Sequence, residues 1–550
     1  MSHPVLPEVR RGVDEALVAH EYAAALGLLR PAARAIAAEE GAAFRRLIAR
    51  IPDEAWHDDA LIASAMGASF RAAGSPRGSS AIGYFHAAEN ALAGADPRGD
   101  DHGRDPERVA VFLGRAAALR AMGRLDAASG YVDKAYALDR AGSALPVAVR
   151  VELGARGALE RGMIELHLGN IDAAAQQLRH AHGLAVDTLT RAEQIECLGG
   201  LALIDYVQSD FESAKRSITE ARALAADTTL WASGYAAAAL VAAVLVATDR
   251  HDLVGAAELE PEMLDAARAG DFEPFAYAVA GYRRLAERRF PEALDFLLLS
   301  RQGFRTWTPR GLGSAIEEVM RAGILIHLNQ SEEAWTILRD LQPFEHHVVC
   351  PARVVAQLRF VHGDLKGAAE ALLDCEKLGD DHSPRTGIEV RLLRAAIEFE
   401  RGDFVLSDSM MDRALATIAR TGTRAPLRTI QPGTLGGLTR RALGRPQSPE
   451  VSRILNRIAE ATDGVGRLVE PLSHRELLVL AEVEKGSTVG GIAAALYISP
   501  NTVKTHLRRL YRKLGVTTRS DAIRKATSLG LGTQITRESP VPQIADTPPR

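Results

Sequence analysis

Cysteine is almost absent from this chain: Cys197, Cys350 and Cys375 are the only three in 550 residues. Three thiols make no disulfide framework at this size, so a reducing, cytoplasmic setting is expected. Aromatic residues make up only 5%. The longest apolar stretch, Tyr235 to Ala247 within Trp231 to Thr248, is Ala- and Val-rich and shorter than the ~20 residues that cross a bilayer. It reads as a buried helix, and no membrane association is expected. The first ten residues lack the basic-then-apolar pattern of a secretory leader. No Gly-Lys dipeptide occurs, which removes the phosphate-cradling G-x-x-x-x-G-K-[ST] loop. Neither H-E-x-x-H nor G-x-S-x-G is present, so zinc hydrolysis and a nucleophile elbow have no support. His346, His347 and Cys350 are ligand-type residues, but no second Cys/His pair follows at finger spacing. The expectation is therefore a protein with no catalytic residue, no cofactor and no metal.

What remains is a helical chain. At 47% hydrophobic and 25% charged residues it has the composition of a packed protein. Strand-type alternation is nearly missing, while apolar residues recur at i, i+3, i+4 and i+7 among Ala, Leu, Glu and Arg, which predicts an all-α fold. One signature repeats: a turn residue, a large apolar residue two positions on, and a small residue three further. It occurs at Gly123/Leu125/Ala128, Gly169/Ile171/Ala174, Ser209/Phe211/Ala214 and His251/Leu253/Ala256. Another lies at Arg288/Phe290/Ala293, and weaker copies follow at Asn329/Ser331/Ala334, Gly363/Leu365/Ala368 and Gly402/Phe404/Ser407. Tyr22 with Ala25 and Phe85 with Ala88 look like earlier, degenerate copies. The turn residue ends one helix, the large side chain fills the hairpin, and the small one lets two helices approach. Such hairpins bury their apolar faces only by stacking. The pattern resembles the tetratricopeptide-repeat family and assigns residues 1–420 to a helical-repeat sensor or interaction domain.

Beyond Arg420 the texture changes. The stretch 421–447 is rich in Gly, Pro, Arg and Thr, and 421–469 is expected to be a linker with one short helix after Ser448. Residues 74–80 and 94–106 read as exposed loops, and 533–550 as a disordered tail.

Residues 470–532 differ from everything before them. The formal net charge of the chain is −4, which argues against an indiscriminate nucleic-acid coat. Residues 470–530 nonetheless hold ten basic and five acidic side chains, and 531–550 are balanced, which leaves −9 on residues 1–469. Start and stop signals draw four short helices: a capping box at Ser473 to Glu476, a second helix from Thr488, a third opened by Ser499-Pro500, and a fourth near Thr518. The short Tyr497-Ile-Ser turn before the third gives a helix-turn-helix layout. In the third helix Val503, Leu507, Leu510 and Leu514 share one face. Lys504, Arg508 and Arg512 line another, with Thr505 and Arg509 beside them. A helix with such a stripe fits the major groove of double-stranded DNA.

The motifs Leu472-Ser-His-Arg-Glu-Leu-Leu-Val-Leu480 and Ile498-Ser-Pro-Asn-Thr-Val-Lys-Thr-His-Leu-Arg-Arg-Leu-Tyr-Arg-Lys-Leu-Gly-Val516 resemble the LuxR-type DNA-binding domain of bacterial regulators. The resemblance implies base contacts from Lys504, Thr505 and Arg508, with Arg509 and Arg512 along the same surface. It implies phosphate contacts near Ser499, Asn501, Thr502 and Arg519, and a homodimer through the fourth helix. Val489-Gly490-Gly491 departs from the usual polar start of the second helix; the two glycines lower its helix propensity and offer no side chain to a phosphate. The lead-in and the long repeat region resemble large MalT-like members, without their NTP-binding domain. The implied function is a transcription regulator whose repeats sense a small molecule, peptide or protein, with RNA polymerase a candidate partner. The alternative is a repeat scaffold for protein interactions with weak or vestigial DNA binding.

Overall fold

The computed structural model describes residues 5–71, 78–95, 102–140, 145–226, 228–307, 311–328, 330–344, 347–463, 472–514 and 516–528. It is all-α, with no strand among the described residues. Two units divide the chain: 1–248 with 252–287 and 291–317, and 249–251 with 288–290 and 318–550.

Each of the eight repeat signatures sits at a hairpin turn. The second helix of each hairpin opens on the residue named above, as in Leu125–Arg140, Ile171–Thr188, Phe211–Leu224 and Phe404–Thr421. The turn residue is left-handed at Gly123, Gly169, Ser209, His251, Arg288, Gly363 and Gly402, while Asn329 lies outside the described residues. This is the left-handed helix stop that releases the chain into a second helix. The small residue three positions into that helix is fully buried in all eight copies, from Ala128 to Ser407. The large apolar residue is buried at Leu125, Ile171 and Phe211 but 44% exposed at Phe404. Close helix approach, more than the large side chain, is what the repeat retains. Asp210, Asp252, Asp364 and Asp403 cap the second helices by accepting from the backbone N–H three residues on. Tyr22 and Ala25 follow a left-handed His20 and fit the pattern. Phe85 and Ala88 lie inside the helix Gly78–Ala95 and do not.

Ser209 gives a sharp test. It is buried in the left-handed region, and its Oγ has no hydrogen-bond partner. Ser209→Gly removes both burdens and is expected to stabilise the fold by roughly 1 kcal/mol, read as a higher denaturant midpoint.

In the first unit the array folds back, so that helix Ala33–Glu39 packs on helix Arg191–Val207. Its interior carries ion pairs between distant hairpins. Arg120, with no exposed surface, donates to Glu160 (2.9 Å) and Glu196 (2.7 Å) and pairs with Asp271. Arg71 meets Glu196 at 2.6 Å, and Arg34 pairs with Glu193. His167 packs among Phe272, Phe275 and Trp307, with its Nε2 3.2 Å from Asp271. Gly123 lies against Trp307: a Cβ there would stand 2.4 Å from the indole at a φ of +70°. Only glycine fits.

The second unit corrects the expected linker. Pro432–Leu443 and Pro449–Asp463 are both helices. Leu435, Leu438, Ala442, Ile454 and Leu455 join the same apolar core as Ile388, Leu393 and Leu415. The Gly content that reads as a loop has a packing reason, since a Cβ on Gly437 would stand 2.7 Å from the Phe399 ring. Residues 464–471 lie outside the described residues, as do 74–77 and 96–101 of the expected loops and the whole 533–550 tail. Residues 78–80, 94–95 and 105–106 of those loops are helical. The apolar run near Trp231 supplies the helix Ala237–Asp249, and no described helix is long and apolar enough to cross a membrane.

Candidate nucleic-acid interface

Four helices build the basic module: His474–Glu484, Val489–Ala495, Pro500–Leu514 and Arg519–Ser528. The first starts with the expected capping box. The Ser473 N–H donates to Glu476 Oε2 (2.7 Å), and the Glu476 N–H donates to Ser473 Oγ (3.4 Å). Gly486, at a φ of +85°, ends it. Thr488 caps the second helix by accepting from the Gly491 N–H at 3.1 Å. The connecting turn passes through Tyr497 at a φ of +53°, and the Ile498 N–H closes on the Ala493 carbonyl at 3.0 Å. Ser499 Oγ then caps the third helix, accepting from the Thr502 N–H at 3.1 Å.

Packing fixes which way the third helix turns. Val503 and Leu510 are fully buried and Leu514 nearly so, in a core with Leu480, Val483, Ile492, Ala522 and Ala526. That face cannot rotate outward without exposing the core, so the opposite face is committed to solvent. Lys504, Thr505, Arg508, Arg509 and Arg512 are exposed there, and Ser499, Asn501 and Thr502 are exposed at its start. Lys504, Arg508 and Arg509 form no ion pair among the described residues. Thr505 Oγ1 donates back to the Asn501 carbonyl at 3.0 Å, which leaves its oxygen free to accept. Ser499 and Thr502 hydroxyls lie 2.8 Å apart, so one O–H remains for an outside acceptor. Unpaired basic side chains on a helix held rigid by its other face form a surface made for phosphates and base edges.

Two basic residues have internal work instead. Lys513 reaches back to Glu476 Oε2 at 2.8 Å and ties the third helix to the start of the first. Arg519, expected at a phosphate, donates to the carbonyls of Ser487 (2.8 Å) and Val483 (2.6 Å). Its guanidinium satisfies the open end of the first helix, a task that local sequence does not reveal because the partners lie 32 and 36 residues away. His506 is half-buried; burial lowers its pKa, and its Nδ1 lacks a hydrogen-bond partner.

Sequence reasoning gave Tyr497 no role, yet it is 88% exposed two residues before the Ser499 cap. A large aromatic in an otherwise minimal turn was the signal available. It also left His347 and Cys350 without partners, whereas the fold brings Cys375 and His382 to them.

The glycines of the second helix are exposed, and a Cβ at either would meet nothing closer than 3.5 Å. Nothing in the packing requires them. Gly490→Ala with Gly491→Ala is expected to stabilise the module by about 1–2 kcal/mol, measured as a shift in its unfolding transition.

Known proteins share this module. Residues 470–526 match the family described as bacterial regulatory proteins, luxR family. The probable transcriptional regulatory protein NarL of Mycobacterium tuberculosis is 51% identical over 55 residues, 10% of this chain and 26% of NarL. The HTH-type transcriptional regulator MalT of Klebsiella pneumoniae is 36% identical over 93 residues, 17% of this chain and 9% of MalT. The chain thus spans only a small part of either relative. Among solved structures, a Rap protein complexed with competence and sporulation factor has a TM-score of 0.43 at 13% identity. That likeness covers 62% of this chain and 93% of the Rap chain. The Cut9–Hcn1 hetero-tetramer of the APC/C gives a TM-score of 0.38 at 14% identity, covering 91% of this chain and 95% of that one. The four-helix geometry, its outward basic row and the family match agree on one statement: residues 470–526 are a luxR-family helix-turn-helix domain, joined to an all-α chain of stacked hairpins.

Proposed function

We propose that this protein is a transcription regulator that binds double-stranded DNA through Pro500–Leu514. The observation that carries the reading is the exposed row of Lys504, Thr505 and Arg508, its two cations in no ion pair among the described residues, on a helix whose other face is locked in the core. In the major groove, Lys504 and Arg508 reach guanine O6 and N7, and Thr505 contacts a neighbouring base edge. Arg509 and Arg512 meet phosphates. Ser499, Asn501 and Thr502 hold a phosphate at the helix start, where the dipole favours negative charge. Tyr497 adds a phosphate or sugar contact beside them. The names of the NarL and MalT relatives support regulation of transcription as the setting.

A domain of this size reads few base pairs, so two copies on a two-fold site, one helical turn of about 34 Å apart, account for specificity. The fourth helix, Arg519–Ser528, is the proposed dimer contact, and RNA polymerase a further partner. The repeat units would bind a small-molecule, peptide or protein effector and shift the population of DNA-competent dimers. The acidic bulk of residues 1–469 discourages indiscriminate DNA binding, while the +5 module retains local attraction. Selection of bound duplexes from a randomised pool by the full-length protein tests the reading. A recurrent, two-fold motif is expected, and recovery of unenriched sequence alone would refute it.

A further inference from the structure

In the second unit four side chains of metal-ligand type converge from three separate segments. His347 and Cys350 lie in the segment that leads into helix Pro351–Val361. Cys375 sits in helix Leu373–Leu378. His382 directly precedes Ser383, the cap of helix Pro384–Arg401. One ligand atom from each, two sulfurs and two ring nitrogens, can be chosen so that all four lie within 4.8 Å of one another. Cys350 Sγ is 3.3 Å from Cys375 Sγ, and Cys375 Sγ is 3.8 Å from His347 Nδ1. The His347 and His382 rings are 5.0 Å apart, centre to centre.

This arrangement is costly without something at its centre. Cys350 and Cys375 are 2% exposed and His382 is 5% exposed. Both ring nitrogens of His382 are buried with no hydrogen-bond partner among the described residues. A buried imidazole with both nitrogens unsatisfied has lost its water and gained nothing in exchange, which destabilises the fold unless something bonds them. The sulfur separation is well beyond the ~2.05 Å of a disulfide. It is a few tenths of an ångström short of the ~3.7 Å expected when two thiolates share a zinc with bonds near 2.3 Å at tetrahedral angles. The widest pair of ligand atoms stands up to 4.8 Å apart, against the roughly 3.3–3.6 Å of ligand pairs in a tetrahedral site, so binding draws that pair together while the two thiols part slightly.

We propose that His347, Cys350, Cys375 and His382 form a closed, structural zinc site. Two thiolates and two imidazoles are the soft and intermediate donors that select zinc over magnesium or calcium. Two thiolate charges cancel the charge of the divalent cation, so the filled site is neutral and suits burial among apolar neighbours such as Ile388 and Leu372. Four protein ligands leave no open position, so the metal's task is to hold structure. It clamps the 347–350 segment and the 373–382 segment onto the start of helix Pro384–Arg401. His347, half-buried while its partners are buried, lies on the side from which the ion enters. The spacing is not that of a finger, which conceals the site: Cys375 follows Cys350 by 25 residues, and His382 comes seven later.

Elemental analysis of the full-length protein, expressed with zinc and purified under reducing conditions, is the direct test. About one zinc per chain is expected, falling to background in Cys375→Ser and in His382→Ala and retained in Cys197→Ser. Should either ligand variant fail to fold, the metal-stripped wild type is titrated with cobalt(II). Saturation at one equivalent, with thiolate-to-cobalt charge transfer and the strong visible bands of a tetrahedral ion, supports the site. Three results would overturn it: wild-type protein that carries no zinc and gives no such cobalt spectrum; full zinc content in the folded Cys375→Ser variant; or a Cys350–Cys375 disulfide in protein alkylated at lysis.

Discussion

Replacing Lys504 and Arg508 together with alanine is expected to remove sequence-specific DNA binding while leaving the protein folded. Both side chains are exposed and in no ion pair among the described residues, so stability should move by no more than about 0.5 kcal/mol. Each bidentate base contact is worth roughly 1–3 kcal/mol of discrimination, so the pair should cost about 2–6 kcal/mol, a loss of roughly 30-fold or more. Arg509→Ala should behave differently. A phosphate contact carries no sequence information, so affinity should fall evenly across sequences and the slope of log affinity against log salt should shrink by about 0.9. Titrating wild type and variants on selected and scrambled duplexes at several salt concentrations separates the two roles. A double variant that keeps its preference for the selected duplex would remove base reading from Lys504 and Arg508.

The second large effect is on stability. Arg120→Ala leaves Glu160, Glu196 and Asp271 buried around an absent cation and is expected to cost about 3–5 kcal/mol, seen as a fall in the denaturant midpoint of the first unit. The loss should depend on pH. Burial alone would raise the Asp271 pKa, but Arg120 and then His167 hold it well below the usual carboxylate range. A carboxylate with a depressed folded pKa contributes stability that is complete above its unfolded pKa near 4 and lost as pH falls through the folded value. Burial lowers the His167 pKa, with Asp271 opposing, so its contribution is present above about pH 6.5 and lost below it. Burial raises the Glu160 pKa, which opposes the trend, but with Asp271 and His167 both losing their contribution wild type should weaken from pH 7 to pH 3. In Arg120→Ala the same carboxylates become buried charges that protonation relieves, so the gap between variant and wild type should narrow by pH 5. A gap that widens on acidification would contradict this account of the network.

The contrast between these two predictions shows what a sequence can carry. The recognition helix was legible because its logic is local: Val503, Leu510 and Leu514 on one face, Lys504 and Arg508 on another, all within four turns. The hairpins were legible for the same reason, since turn, large residue and small residue fall within six positions. Arg120 was not legible. Its partners lie 40, 76 and 151 residues away, and a charge on a helix reads as a solvated face until the fold brings the carboxylates to it. Nor was the internal clasp of Arg519 on Val483 and Ser487 legible, for the same reason of distance along the chain. The helix Pro432–Leu443 was misread as linker because Gly436 and Gly437 lower helix propensity, while the close approach to Phe399 that needs Gly437 is a tertiary fact. The cluster of His347, Cys350, Cys375 and His382 failed by distance alone: its residue types were visible, and its second pair lay beyond any familiar spacing.

The central claim is that the luxR-family domain of this chain places Lys504 and Arg508 on specific chromosomal sites. Mapping the crosslinked sites of the full-length protein in its own cell, beside the Lys504→Ala/Arg508→Ala variant at equal abundance, tests that claim most directly. The account predicts discrete sites upstream of genes, sharing a two-fold motif, that disappear in the variant. Sites that persist undiminished in the variant, or a wild-type map with no enriched site, would contradict it.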